Sequence, residues 1–255
     1  MSLLPGAEPF RHRGGRVGVV LCHGFTGSPQ SMRPWADRLV AAGCTVDLPL
    51  LPGHGTNWRD MRSTTSDDWL AAADEAFVRV RAECDDVFTM GLSMGGCLAL
   101  RLAQLHENDI RGVVVVNPSI AVEEPLLHIG HAVKFLVPSV KGLTNDIKRP
   151  GMSETGYDRV PTAAAATLPR LWRATRNGLP TMTAPILAYR SPQDHVIGPQ
   201  SLRILTSKAV ASAVTVRSLD DSYHVATLDN DADAIFDGSL AFVREHSRRG
   251  EGLHA

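Results

Sequence analysis

The sequence predicts an α/β protein: a mostly parallel, doubly wound sheet with a small, mostly helical cap insertion. Three observations predict it. Short apolar runs, suited to strands buried on both faces, alternate with helical stretches, the pattern of a parallel sheet covered on both sides. A serine in Gly91-Leu92-Ser93-Met94-Gly95 stands between one such strand and one such helix. From residue 119 to about 183 the alternation stops, over a span too long for an ordinary loop and too apolar for disorder.

Taken in order, residues 16–21 read as the first buried strand, nearly all apolar and too short for a helix. The strand runs into Cys22-His23-Gly24-Phe25-Thr26-Gly27. Ser28 then offers an N-cap with Pro29 at the first helical position, and residues 30–42 form an amphipathic helix stopped at Gly43. Residues 44–48 make the next strand, followed by the turn cluster Leu51-Pro52-Gly53-His54-Gly55-Thr56. Thr65-Ser66-Asp67-Asp68 resembles a capping box with Asp in place of Glu and opens a helix to about Cys84. Residues 86–90 are the strand before the serine and residues 97–105 lie in the helix after it. Residues 112–116 form another apolar, β-branched run, closed by Asn117-Pro118. The sheet pattern resumes at residues 185–189 and 213–216, a last helix covers about 232–246, and residues 248–255 form a frayed tail. The core is thus assigned to residues 1–118 and 184–255, and the cap to residues 119–183.

The totals narrow the function. A chain of 255 residues, 44% hydrophobic and 21% charged, can build one sizeable core. A formal net charge of −1 gives no footprint for nucleic acid or an anionic surface. No apolar run supplies a membrane anchor, although a lipid surface could open an apolar cap transiently. The first 16 residues hold no apolar core of signal-peptide type, which favours the cytoplasm and leaves secretion open. Cys22, Cys44, Cys84 and Cys97 lack metal or redox spacing and read as buried free thiols. The sequence leaves the oligomeric state open.

A serine on a sharp strand-to-helix turn has its hydroxyl pushed out above the sheet, where it can attack. Such a hydroxyl needs a base, oriented in turn by a carboxylate. In chain order the acid precedes the base, each on a loop after a later strand, and Asp194 and His224 fall at those places. Rivals for the base are His195, His54 and His23; rivals for the acid are Asp220 and Asp221 on the histidine's own loop. His195 neighbours the acid and would leave the last loop empty, and His23 suits a brace of its own loop. The developing oxyanion needs two donors, expected from the backbone N–H groups of Met94 and Phe25. No metal or organic cofactor is required.

These pieces resemble the α/β-hydrolase superfamily, and within it the bacterial monoacylglycerol lipases and related carboxylesterases. The resemblance rests on H-G-F-T-G-S-P at residues 23–29, G-H-G-T at 53–56, G-L-S-M-G-G at 91–96, D-H-V at 194–196 and S-Y-H-V-A-T-L-D at 222–229. It implies an α/β-hydrolase fold with Ser93 as nucleophile, Asp194 as acid and His224 as base, and Phe25 and Met94 at the oxyanion hole. It also implies a small-molecule ester or lipid substrate, monoacylglycerols foremost. Residues 154–162 look like the family segment whose acidic residue meets the glycerol headgroup, and the matching position is read as Asp158. Ile120 and Val122, with Leu126, Ile129, Phe135 and Leu136, are expected to shelter the acyl chain. A short- or medium-chain carboxylesterase or thioesterase without glycerol preference is the competing enzyme, and a non-catalytic ligand receptor the competing class.

Overall fold

The apolar runs of the sequence become the strands of the computed structural model, which describes residues 2–121 and 137–248. In chain order they are β1 (Phe10–His12), β2 (Val17–Cys22), β3 (Thr45–Leu48), β4 (Asp86–Leu92), β5 (Ile110–Val116), β6 (Ser139–Lys141), β7 (Arg159–Pro161), β8 (Ile186–Arg190) and β9 (Val214–Ser218). Seven of them form one sheet in the order β1-β3-β2-β4-β5-β8-β9. Every pairing in it is parallel except that of the edge strand β1, which runs antiparallel to β3 with Phe10 opposite Leu48. The sequence reading does not foresee β1, whose Arg11 and His12 are exposed and leave no apolar run to read.

Side chains leave a strand to alternate faces. Val19 and Leu21 therefore join Trp35 and Leu39 of the Arg33–Ala41 helix and Phe242 of the Ala232–His246 helix on one side. Val20 and Cys22 join Phe77 of the Ser66–Arg81 helix and Leu98 of the Met94–Leu105 helix on the other. All six residues of β2 and all seven of β4 are buried, as strands covered on both faces must be. β2 lies between β3 and β4. The chain thus builds outward from β2 in both directions, and the switch point at which open α/β sheets place their sites falls at the carboxyl ends of β2 and β4.

Two helix starts separate local from tertiary control. The Thr65 hydroxyl accepts the Asp68 N–H while the Asp68 carboxylate accepts the Thr65 N–H, a complete capping box contributing about 1 kcal/mol. Ser28 was expected to cap a helix from residue 30, but its hydroxyl donates instead to the Thr155 carbonyl at 2.6 Å. Pro29–Met32 therefore forms a single 3-10 turn, and the α-helix begins at Arg33.

Within residues 137–183, β6 and β7 pair antiparallel, and the Leu168–Gly178 helix lays Leu168, Leu171 and Trp172 into the same core as the Met94–Leu105 helix. Residues 145–157 are fastened to the sheet domain at several points. Lys148 and Arg149 donate backbone N–H groups to the buried Asp229 carboxylate, Thr155 N–H donates to the Gln30 side chain, and Tyr157 N–H donates to the Thr26 carbonyl. Among the described residues no helix is long and apolar enough to cross a membrane.

Candidate active site

Ser93 sits where β4 ends and the Met94–Leu105 helix begins, with φ 56° and ψ −121°. A non-glycine residue held there stores about 1–3 kcal/mol of strain. The surroundings impose it. Ser93 N–H donates to the Val116 carbonyl at 2.9 Å, and the Ser93 carbonyl accepts from Ser119 N–H at 3.0 Å. A Cβ on Gly95 would lie 1.9 Å from the Cys22 carbonyl oxygen, and one on Gly91 would lie 2.2 Å from the Gly95 carbonyl carbon. Only glycine at both positions lets strand and helix approach closely enough to form this turn.

The loop leaving β2 closes over the same point: a Cβ on Gly24 would stand 3.5 Å from the Ser93 Cβ. The loop is shaped by His23, which is fully buried. Leu51 N–H donates to His23 Nε2 at 3.2 Å, so the ring proton is on Nδ1, which donates to the Gly24 carbonyl at 3.0 Å. Burial lowers the His23 pKa to about 4, which keeps the ring neutral. His54 packs edge-on against His23 with centroids 4.9 Å apart, and burial pushes its pKa well below the usual value. Phe25 packs its ring against Trp69, with centroids 5.4 Å apart. Met94 is the first residue of its helix, where backbone N–H groups have no intrahelical partner and the helix dipole favours negative charge.

Asp194 and His224 meet. Asp194 Oδ2 accepts from His224 Nδ1 at 2.9 Å and from Arg190 Nη1 at 2.6 Å, and its Oδ1 accepts from the N–H groups of Val196 and Ile197 at 2.8 Å each. The Asp194 side chain is fully buried and that of His224 is 8% exposed. Burial alone would raise the Asp194 pKa. The charge and hydrogen bond of His224, the Ile197 N–H and Arg190 outweigh it and hold the carboxyl below its ordinary value. An ionised acid can only accept, so the neutral imidazole carries its proton on Nδ1 and keeps the Nε2 lone pair free.

The rivals lie elsewhere. His195 pairs with Asp146 at 2.7 Å with its side chain 57% exposed. Asp221 pairs with Lys148 at 2.8 Å, and Asp220 accepts from the Ser218 hydroxyl, as turn residues do.

Three residues at the site escape the sequence reading. Asn117, fully buried with φ 44°, accepts Ser191 N–H at 2.8 Å and donates to the His224 carbonyl at 2.9 Å, tying the ends of β5 and β8 to the histidine loop. Arg190, the last residue of β8, completes the Asp194 pocket. The third is Glu154. Its carboxylate lies against Gly27, bonds the Ser31 side chain and interacts electrostatically with His224, and burial raises its pKa against those two influences.

Asp158, the acidic residue expected at the headgroup, is exposed just before β7, with its carbonyl accepting Gly142 N–H. The preceding Tyr157 turns inward, donating its hydroxyl proton to the Gly53 carbonyl at 2.9 Å. The carboxylate of this segment that interacts electrostatically with His224 is that of Glu154. Ile120 is fully buried in the core cluster with Met94, Tyr157 and Trp172. Val122, Leu126, Ile129, Phe135 and Leu136 lie outside the described residues.

Comparison with known proteins points the same way as the geometry. Residues 19–237 match the model of the alpha/beta hydrolase family. The thermostable monoacylglycerol lipase of Bacillus sp. (strain H-257) is 41% identical over 246 residues, covering 96% of this chain and 97% of that protein. A carboxylesterase of Bacillus subtilis (strain 168) is 23% identical, covering 93% of this chain and 96% of that one. A solved structure from work on LipS and LipT, two metagenome-derived lipolytic enzymes, superposes with a TM-score of 0.93 at 37% identity. It covers 96% of this chain and 100% of its own.

Proposed function

The chain belongs to the alpha/beta hydrolase family, and from that premise we propose that it hydrolyses carboxylic esters through Ser93, His224 and Asp194, with monoacylglycerols as the preferred substrates. The observation that carries the reading is the buried Asp194–His224 pair at the sheet edge that also bears the strained Ser93 turn.

The hydroxyl of Ser93 attacks the ester carbonyl carbon as His224 Nε2 takes its proton. The tetrahedral oxyanion is received by the backbone N–H groups of Met94 and Phe25, each such donor being worth roughly 3–4 kcal/mol in the transition state. Collapse expels the alkoxide, which takes the proton from His224 and leaves an acyl-Ser93 ester. Water, deprotonated by His224, attacks that ester by the same route and releases the fatty acid. Asp194 holds the Nδ1–H tautomer and stabilises the imidazolium in each half-reaction.

Glu154 is assigned to the alcohol side, where its carboxylate accepts hydrogen bonds from the glycerol hydroxyls. The glycerol preference is supported by this carboxylate, which interacts electrostatically with His224, and by the similarity to the Bacillus monoacylglycerol lipase. Substrates are small esters or lipids, and the cytoplasm is the compartment in which they are met.

The test pairs covalent labelling with substrate choice. A fluorophosphonate should label Ser93, and Ser93→Ala should lose both label and turnover. Hydrolysis of a monoacylglycerol should exceed that of the methyl ester of the same acid. Equal rates would favour a general carboxylesterase, and labelling at any other residue would overturn the assignment.

A further inference from the structure

One residue on the fastened segment 145–157 touches both loops that deliver the acid and the base. Asp146 follows Asn145, which is held at φ 55°. Its Oδ2 accepts the backbone N–H of His195 and the backbone N–H of His224, each at 3.1 Å. Its Oδ1 faces His195 Nδ1 at 2.7 Å, and its carbonyl accepts Val225 N–H at 3.0 Å. The Asp146 side chain is only 13% exposed. A single carboxylate thus spans the residue after Asp194 and the main chain of His224 itself.

We propose that Asp146 is a positioning residue for the reaction, setting the placement of His224 relative to Asp194 and Ser93; the proposal rests on the hydrolase reading above. The His224 peptide has two grips. Its carbonyl is held from the sheet by Asn117 at 2.9 Å, and its N–H is held from the cap segment by Asp146. With the second grip removed, Asn117 and the Val225 N–H bond to the Asp146 carbonyl remain, but nothing among the described residues sets the N–H side of His224, and the imidazole shifts with it. A misplacement of about 1 Å at a reacting group can cost on the order of 100-fold in rate.

Other contacts fasten the same segment and the same acid. Asp229, fully buried, takes four backbone N–H groups, from Lys148, Arg149, Tyr223 and Asn230, and fastens the same segment to the histidine loop independently. Arg190 and the Val196 and Ile197 N–H groups likewise hold Asp194 without Asp146. The geometry therefore assigns Asp146 to the register between the loops.

The experiment compares kcat, KM and the fluorophosphonate labelling rate of the full-length protein on a soluble p-nitrophenyl ester. Asp146→Ala is expected to lower kcat at least about tenfold with KM within about threefold, and to slow labelling of Ser93 in parallel. Asp146→Asn keeps an amide oxygen for the two N–H groups and is expected to recover kcat to within about threefold of wild type. His195→Ala removes only the outer arm of the contact and should leave kcat within about twofold.

An active wild type with Asp146→Ala at full kcat, or with a loss confined to KM, overturns this inference alone. So does a loss in His195→Ala equal to that in Asp146→Ala. A wild type that neither turns over the ester nor labels at Ser93 overturns the hydrolase reading, and this inference with it. Should Asp146→Ala not fold, Asp146→Glu decides: it keeps the charge but shifts the oxygens by a methylene, and an unchanged kcat there overturns the proposal.

Discussion

Replacing Asp194 by Asn changes no heavy-atom volume and tests the site at its most constrained point. Four donors converge on this carboxylate: Arg190 Nη1 and His224 Nδ1 on one oxygen, Val196 N–H and Ile197 N–H on the other. An amide has one acceptor end. If its oxygen stays with the two backbone N–H groups, its NH2 faces Arg190 and His224, and the imidazole must turn its Nδ1 lone pair toward the amide. The proton then moves to Nε2, and the ring can no longer accept from Ser93. Loss of the correct tautomer lowers kcat about 10^4-fold, or about 5.5 kcal/mol.

Stability falls too, because the Arg190 guanidinium, 12% exposed, is left against an NH2 group. Breaking such a pair costs roughly 3 kcal/mol, or about 6–12 °C in Tm for a chain of this size. The pH dependence has a definite sign. The folded Asp194 pKa is depressed, so its stabilisation is fully present above the unfolded value of about 3.9 and is lost as pH falls toward the folded value. The Tm gap between wild type and Asp194→Asn should therefore be constant near neutrality and close below about pH 4. The assays are steady-state hydrolysis of a p-nitrophenyl ester and thermal melts across pH. A folded Asp194→Asn variant within tenfold of wild-type kcat would refute the reasoning, as would a Tm gap that widens in acid.

The other predictions are briefer. Ser93→Gly and Ser93→Ala should both be inactive, but the glycine variant should be the more stable by about 1 kcal/mol, since it alone relieves the φ of 56°; equal melting points would deny the strain. Gly95→Ala puts a methyl 1.9 Å from the Cys22 oxygen and should lower the unfolding free energy measured in urea by more than about 3 kcal/mol or prevent folding, whereas a wild-type midpoint would mean the elbow has slack. Glu154→Ala should raise KM for a monoacylglycerol about tenfold, the worth of a charged hydrogen bond. The methyl ester should change less than about twofold, and a uniform loss on both would remove Glu154 from headgroup recognition.

What the sequence makes legible follows from how locally each feature is determined. The parallel sheet could be read because β2, β4 and β5 are buried at nearly every residue and show it as short, mainly apolar runs. The Ser93 turn could be read because its two glycines and its flanking elements are contiguous. Asp194 and His224 were candidates because each follows a readable strand. Asn117, Asp146 and Arg190 carry no such signal. Each bonds groups 30 or more positions away in at least one contact, and nothing beside it in the chain announces the partner. Glu154 was hidden by a choice of register within one segment. Tyr157 turns inward onto Gly53 and leaves Asp158 on the outside, in a stretch before β7 that has no regular periodicity to announce which carboxylate faces in. Ser28 shows the reverse failure, a sound local signal overridden when a distant carbonyl, that of Thr155, claims the hydroxyl.

The ring of His23 works as a spacer with opposite ends, one giving a proton to Gly24 and the other receiving one from Leu51, and only the uncharged imidazole can do both. A second proton would aim N–H at N–H and force the two loops apart. Because burial defers that event to about pH 4, the cradle facing the serine keeps its form throughout the neutral range. In that range the His23 ring adds no titration of its own to the pH dependence of the rate.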